Sequence, residues 1–458
     1  MTPSLPLSEV LAALDAGAAE RGGPVPATTP AALADLVRRK LGAPIPEKGT
    51  GAEEAVKTVV GLLAYGAADP ADPRCAAHLH CPPLPEAVAA DLAVSLLNQS
   101  LDSWDQAPAA VTMEREVVRA LAGLAGYGEA ASGTVTTGGT ESNLMGLMLA
   151  RDAADSGARK VVFCSETAHF SVRRAAALLG LGEGAVQAVR VDGRRRMDVH
   201  ALDAALAACV EGGDVPIAVV ATAGTTDCGA IDPLPEIART ARRYGAWSHV
   251  DAAHGGGALF SDRLSPLLRG LADADSVSID MHKFGWVPAA AGVFLVRDAA
   301  MLAPLELRAA YLNPADDEEE GYDGLLGLSL RTTRRPDCVK ILTALRALGR
   351  AGMGERVDRC HDLAVEAAHL IAADPGLELV AAPVLSTVVF RYRGTDAVNA
   401  ALRRRLLAEG RAVVGRTEMG GRICLKLTLL NPAATADDLR EIVHAVVAAG
   451  HAEESETR

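Results

Sequence analysis

The residue with the most distinctive chemistry in this chain is a lysine. Lys283 lies in SVSIDMHKFGWVP, residues 276–288. Val277 and Ile279 alternate with polar residues ahead of it, and the apolar run GVFLV, residues 292–296, follows. That pattern reads as strand, turn, strand. Met281, Phe284 and Trp286 wall the turn. Desolvation disfavours an ammonium, so a lysine in such a wall gives up its proton more readily, and the free amine can form a Schiff base with an aldehyde. A surface lysine at a strand end is the plainer alternative. The rest of the chain decides between them.

The stretch TTGGTESN, residues 136–143, is the second chemical signal, and an apolar helix carrying Leu144, Leu147 and Met148 starts directly after it. Gly138 and Gly139 allow close backbone approach, and Thr140 and Ser142 offer hydroxyls. A helix N-terminus aims unpaired N–H groups outward, which suits a phosphate dianion. The pattern is not G-x-x-x-x-G-K-[ST], so no nucleoside triphosphate is indicated.

These two stretches need elements to hold them. From 160 to 296, short apolar runs at 161–163, 188–191, 217–221, 247–250 and 277–279 alternate with helical segments. Continuous apolar strands with helices between them predict a mostly parallel sheet covered on both faces, an α/β fold. Ligands in such sheets bind beyond the strand ends. Polar residues gather at those ends: His169 closes SETAH, Thr225 and Thr226 follow the 217–221 run, and Asp251 ends the 247–250 run ahead of Ala252, Ala253 and His254. A carboxylate leaving a buried strand needs a cationic partner, and a protonated pyridine nitrogen is one. An imidazole such as His169 can stack on the ring. Lysine, phosphate cup, acid and stacking histidine together make a pyridoxal-phosphate constellation. Each piece alone has an ordinary reading, as a capped helix, a paired strand-end acid or a packed histidine.

Composition narrows the class. The chain has 458 residues, which fits two or three domains. Hydrophobic residues make up 49% and aromatics 3%, so cores are built from Ala, Val and Leu. Lysine and arginine number 45 against 58 acids, a net −13 that argues against a nucleic-acid or anionic-membrane binder. No apolar run reaches membrane-spanning length, and the N-terminus shows no basic region followed by an apolar core, so no secretory signal is expected. The eight cysteines form no C-x-x-C pair and read as reduced thiols of a cytoplasmic protein, with no metal site.

Outside the sheet, residues 1–70 read as helical with a loop at 22–30. Leu33, Leu36, Val37 and Leu41 form a stripe that must pack on something, a partner subunit being one candidate. HLHCPP, residues 78–83, reads as a loop lining a pocket, since two prolines stop any regular element. NQSLDSWDQAP, residues 98–108, is a polar loop whose Trp104 argues for a buried or ligand-facing segment. A helix is expected over 113–125, with Val117, Leu121 and Leu124 on one face.

With these residues in view, the sequence resembles the group II pyridoxal-phosphate decarboxylases. TTGGTESNLMGL, SETAHFSV, ATAGTTDCGAIDPL, HVDAAHGG and DMHKFGW carry the likeness. Within that family it is most similar to the bacterial diaminobutyrate, ornithine and lysine decarboxylases, through AAHLHCPPLPEAV, NQSLDSWDQAPA, YLNPADDEEEG, SLRTTRRPD, APVLSTVVFRY and GRICLKLTLLNP. The resemblance spans about residues 70 to 445. It implies fold type I: a large domain with a mostly parallel seven-stranded sheet, a small α+β C-terminal domain, and a homodimer with shared active sites. The boundaries expected are an N-terminal helical, dimer-packing segment 1–70, a cofactor domain 71–345 and a small domain 346–458.

By position, Lys283 resembles the lysine that carries the cofactor. Asp251 resembles the partner of the pyridine nitrogen, and His169 the stacking and catalytic histidine. Gly138, Gly139, Thr140 and His282 resemble phosphate contacts, Ala253 the small residue under the ring, and Thr226 part of the cofactor wall. Tyr322, in the acidic segment 315–324, matches the mobile-loop tyrosine that returns a proton. His80, Asp102, Trp104 and Arg331 are the candidate substrate contacts. Phe284, Val287 and His254, and the Arg331 and Pro336 pair, depart from the family pattern. The implied reaction is α-decarboxylation of a small amino acid, with a diamino acid favoured by Asp102, Asp105 and the acidic 316–320 run, and opposed by Arg331. Transamination, oxygen-dependent conversion to an aldehyde, and a scaffold that has lost its chemistry are the rival classes.

Overall fold

The computed structural model describes residues 5–154, 157–306 and 308–457. They fall in two compact units, Leu79–His361 and a second made of residues up to His78 together with those from Asp362 onward. The breaks at 78/79 and 361/362 compare with the expected 70/71 and 345/346. The later break lies inside the helix Cys338–Ala373, where Gly349 leaves helical geometry.

The second unit opens with three helices, Leu7–Arg21 (α1), Pro30–Leu41 (α2) and Ala52–Tyr65 (α3). Helix α2 starts where its sequence directs: Pro30 takes the first helical position and the Thr29 hydroxyl accepts from the Ala32 amide at 3.2 Å. No residue of α2 is fully buried, so Leu33, Leu36 and Val37 remain half-covered. The same unit holds a four-stranded antiparallel sheet of Leu377–Ala381, Thr387–Tyr392, Gly415–Met419 and Arg422–Thr428. Phe390, Leu402, Leu425 and Ile442 are among its core residues.

The Leu79–His361 unit carries helices Pro85–Leu97 (α4), Pro108–Leu124 (α5) and Gly139–Ala153 (α6) around a seven-stranded sheet. Its strands are Ser132–Thr136 (β1), Lys160–Ser165 (β2), Val186–Val189 (β3), Val215–Thr222 (β4), Trp247–Ala252 (β5), Ser276–Asp280 (β6) and Gly292–Val296 (β7). The order is β1-β7-β6-β5-β4-β2-β3. β7 runs antiparallel to both its neighbours, and the other strands share one direction. This is the α/β architecture the apolar runs predict, with helices crossing between parallel neighbours. Helix α5 starts at Pro108, five residues ahead of the expected 113, because a proline is well placed in the first helical turn. No helix among the described residues is long and apolar enough to cross a membrane.

Candidate active site

The parallel strands β4, β5 and β6 end beside the start of α6, and a cavity of about 390 Å³ lies there. Its wall contains Gly138, Gly139, Thr140, His169, Thr226, Asp251, Ala253, His282 and Lys283. The nine residues singled out for a cofactor thus share one cavity, although they come from separate segments of the chain. Gly138 has φ 146°, a conformation open to glycine. A Cβ there would meet His282 Cε1 at 2.9 Å, and one at Gly139 would meet the Ala253 methyl at 2.8 Å. The space before α6 therefore exists only because both positions lack side chains. The Glu141 and Ser142 amides donate to the Gly138 carbonyl, which leaves those of Gly139 and Thr140, the first two of α6, for an anion.

A buried polar network stands behind this wall. Asp251 ends β5, and its Oδ2 accepts from Asn143 Nδ2 at 2.8 Å. Its Oδ1 accepts from the Ala253 amide at 3.1 Å and from the Ser278 hydroxyl at 3.4 Å. Asn143 Oδ1 lies 2.9 Å from His249 Nε2 and 3.1 Å from Ser278 Oγ, whose single proton it shares with Asp251. An amide oxygen cannot donate, so His249 carries its proton on Nε2. His249 Nδ1 then accepts from the Ser276 hydroxyl at 2.8 Å, and Ser276 Oγ accepts in turn from Trp247 Nε1 at 2.8 Å. Complete burial holds the His249 imidazole well below its usual range, in keeping with a neutral ring.

The network reaches the cavity on its other side as well. Asn143 Nδ2 also donates to Ser171 Oγ at 2.9 Å, and Ser171 Oγ lies 2.8 Å from His169 Nδ1. The Ser171 amide points at the same nitrogen, at 3.3 Å. His169 Nδ1 is thus an acceptor, and in the neutral ring the proton sits on Nε2. Burial holds His169 below the usual histidine range; the charge of Asp251 opposes this and that of Lys283 adds to it.

Lys283 follows β6 in the turn. Its Nζ lies 2.8 Å from Asp280 Oδ2, and His282 Nε2 is 3.5 Å from the same oxygen. Cys81 Sγ donates to the His282 carbonyl at 3.3 Å and the Leu84 amide to the Trp286 carbonyl at 2.8 Å, so the 79–84 loop braces this turn. His254 lies stacked on Phe284, with ring centroids 5.5 Å apart.

The remaining sequence candidates lie elsewhere. His80 is exposed and does not line the cavity. Asp102 is buried in its own turn, where Oδ1 accepts from the Ser103 amide and from Gln106 Nε2. Trp104 packs edge-on against Tyr322, centroids 5.1 Å apart, and Tyr322 is 52% exposed. Arg331 borders an adjoining depression with Thr137, Thr140 and Arg174, and its Nε is 3.0 Å from Glu141 Oε1. Sequence reasoning passed over Asn143, Asp280, Ser171, Ser278 and His249. All five stood inside quoted motifs, Asn143 one turn into α6 and Asp280 three residues before Lys283, but none is set apart there by residue type or spacing.

The residues fit pyridoxal phosphate. Among the described residues Asp251 accepts only from neutral donors, so a buried carboxylate awaits a cation such as a pyridinium N–H. The glycine turn and helix start suit the phosphate, and Lys283 offers an amine to the aldehyde. The comparisons agree. The pyridoxal-dependent decarboxylase conserved domain matches residues 36–393. The chain belongs to this family. It is a pyridoxal-phosphate-dependent amino acid decarboxylase of fold type I. This decarboxylase is 44% identical over 411 residues to an L-2,4-diaminobutyrate decarboxylase of Rhizobium meliloti, covering 88% of this chain and 83% of the relative. An L-2,4-diaminobutyrate decarboxylase of Acinetobacter baumannii is 36% identical over 431 residues, 88% of this chain and 84% of that one. The crystal structure of the glutamate decarboxylase domain of diaminobutyrate-pyruvate transaminase and L-2,4-diaminobutyrate decarboxylase from Vibrio parahaemolyticus superposes with a TM-score of 0.87 at 33% identity, covering 97% of this chain and 94% of that one.

Proposed function

We propose that this decarboxylase removes the α-carboxylate of a diamino acid, with L-2,4-diaminobutyrate as the first candidate, and releases a diamine and carbon dioxide. The two relatives that carry that name support the substrate class. The observation that carries it on this chain is the Arg331–Glu141 pair at 3.0 Å. Arg331 is the cation that would repel a second ammonium group, and Glu141 offsets its charge.

Bound pyridoxal phosphate supplies an electron sink for the pair left at Cα when carbon dioxide departs. The chain's residues do the rest. Lys283 would hold the cofactor through its amine, within the cavity the substrate amine must also reach. Asp251 keeps the pyridine nitrogen protonated, and Asn143, Ser278 and the Ala253 amide hold its carboxylate in one orientation. His169, fixed through Ser171 to Asn143, would pack against the cofactor ring. Gly138, Gly139, Thr140 and His282 receive the phosphate, and Ala253 and Thr226 complete the wall. His169 and Tyr322 are the two groups assigned to return a proton to Cα. The exposure of Tyr322 suits a homodimer in which the acidic segment of one subunit serves its neighbour. The eight free thiols support a reducing, cytoplasmic setting.

The test is a competition of 2,4-diaminobutyrate, ornithine and lysine against glutamate, aspartate, valine and tyrosine, reading carbon dioxide, product mass and peroxide together. The highest specificity constant is expected for 2,4-diaminobutyrate. A higher value for an acidic or neutral amino acid would overturn the diamine reading, and peroxide with an aldehyde would overturn simple decarboxylation.

A further inference from the structure

Asp280 places a second carboxylate, besides Asp251, in the cavity wall. Its side chain is 2% exposed, and Oδ2 lies 2.8 Å from Lys283 Nζ. His282 Nε2 is farther, at 3.5 Å, while its Nδ1 lies 2.9 Å from the Ala291 carbonyl. Oδ1 is buried with no hydrogen-bond partner among the described residues. A Cβ built on Gly138 would lie 3.6 Å from Oδ1, and one on Gly139 would lie 3.5 Å from Oδ2. The carboxylate therefore looks onto the glycine turn. The other titratable groups in the cavity wall are Asp251, His169 and His254, besides His282 and Lys283.

In the free protein the two opposite charges offset each other, and the pair is compatible with burial. Cofactor binding removes that balance in two ways. Lys283 can bond an aldehyde carbon only as a neutral amine. A phosphate dianion on the glycine turn would also face Asp280 with like charge, which favours the protonated acid. One proton transfer over 2.8 Å answers both demands.

We propose that Asp280 takes the ammonium proton of Lys283 as the cofactor enters and keeps it, facing the phosphate as a neutral acid. This rests on the glycine turn being the phosphate site. An N–H bond of Lys283 breaks and an O–H bond forms on Asp280 Oδ2. The nitrogen lone pair then bonds the aldehyde carbon, and the carbonyl oxygen leaves as water with the two protons remaining on the amine. The pair releases no proton to solvent, and Asp280 is the group that returns one whenever the lysine is displaced.

The test counts protons. Full-length protein stripped of cofactor is titrated calorimetrically with pyridoxal phosphate in two buffers of different ionisation enthalpy, as wild type, Asp280→Asn and Asp280→Glu. Asp280→Asn should release about one more proton per site than wild type, so that its affinity gains about tenfold per pH unit relative to wild type. Asp280→Glu, which keeps the acceptor, should restore the wild-type count. Equal counts in wild type and Asp280→Asn would overturn the proposal even if pyridoxal phosphate bound far more tightly than pyridoxal. Equal affinity of wild type for pyridoxal and pyridoxal phosphate would instead overturn the phosphate site, and the role of Asp280 with it.

Discussion

Asn143 links the two chemical ends of the site. Its Nδ2 donates to both Asp251 and Ser171, and its Oδ1 accepts from His249 and Ser278, so one amide sets the orientation of Asp251 and, through Ser171, of His169. Replacing Asn143 by Ala removes a hydrogen bond to a charged group, worth about 1.5–3 kcal/mol. A fall of about 10- to 100-fold in kcat/KM is expected with the cofactor absorbance retained, and steady-state kinetics beside a visible spectrum will check it. His249 gives a second prediction, on stability. Burial lowers its pKa in the folded state, so as pH falls through the ordinary histidine value of about 6.5 the unfolded chain takes up a proton that the folded protein refuses. Stability is full above that pH and declines below it. Urea midpoints measured between neutral and mildly acidic pH should fall more steeply in wild type than in His249→Gln. Lys283, Asp251 and His169 were legible in the sequence because each type carries its own chemistry in a motif. Asn143, Ser276 and Ser278 were not, because neutral polar residues within a helix or strand gain meaning only from partners that are distant in the chain.

At the scale of elements, the site depends on how closely α6 lies against the sheet. Gly146 lets that helix approach β5: a Cβ there would lie 2.7 Å from His249 Nδ1. The ring cannot easily move aside, because both its nitrogens are engaged. Gly146→Ala should therefore destabilise the protein by about 1–3 kcal/mol, the range for overpacking, despite the helix preference for alanine. Thermal unfolding will show it, and an unchanged midpoint would mean that α6 is free to shift. A second tie is the buried pair of Arg334 and Glu114, at 2.6 Å, with Glu114 also accepting from the Thr134 hydroxyl and the Val135 amide. It fastens the chain after 330 to α5 and β1. The apolar runs of β2, β4, β5, β6 and β7 announced themselves. β1 did not, since SGTVT offers one large apolar residue, and its place is decided by pairing with β7 and by Glu114.

On the scale of the whole molecule, helices α1 and α4 each leave an apolar stripe open. Leu7, Leu11 and Leu14 of α1 are 45%, 62% and 38% exposed, and their spacing of four and three puts them on one face. Val88, Leu92 and Leu96 of α4, four apart, form a second open stripe. Isolated exposed leucines are unremarkable, whereas ordered stripes mark surfaces that bury against something. Each leucine fully covered contributes about 1.5–3 kcal/mol, so three of them can dominate an association. The proposed homodimer supplies an occupant. Leu11→Glu combined with Leu14→Glu should leave the fold intact, since neither side chain is in the core, yet place charges where the partner would pack. Sedimentation velocity should show wild type as a dimer and the double variant shifted toward monomer, with circular dichroism unchanged. If the active site is shared between subunits, activity should fall in step with the dimer fraction and recover as protein concentration rises. A variant that stays fully dimeric would clear α1 of this role, and a fully active monomer would sink the shared site.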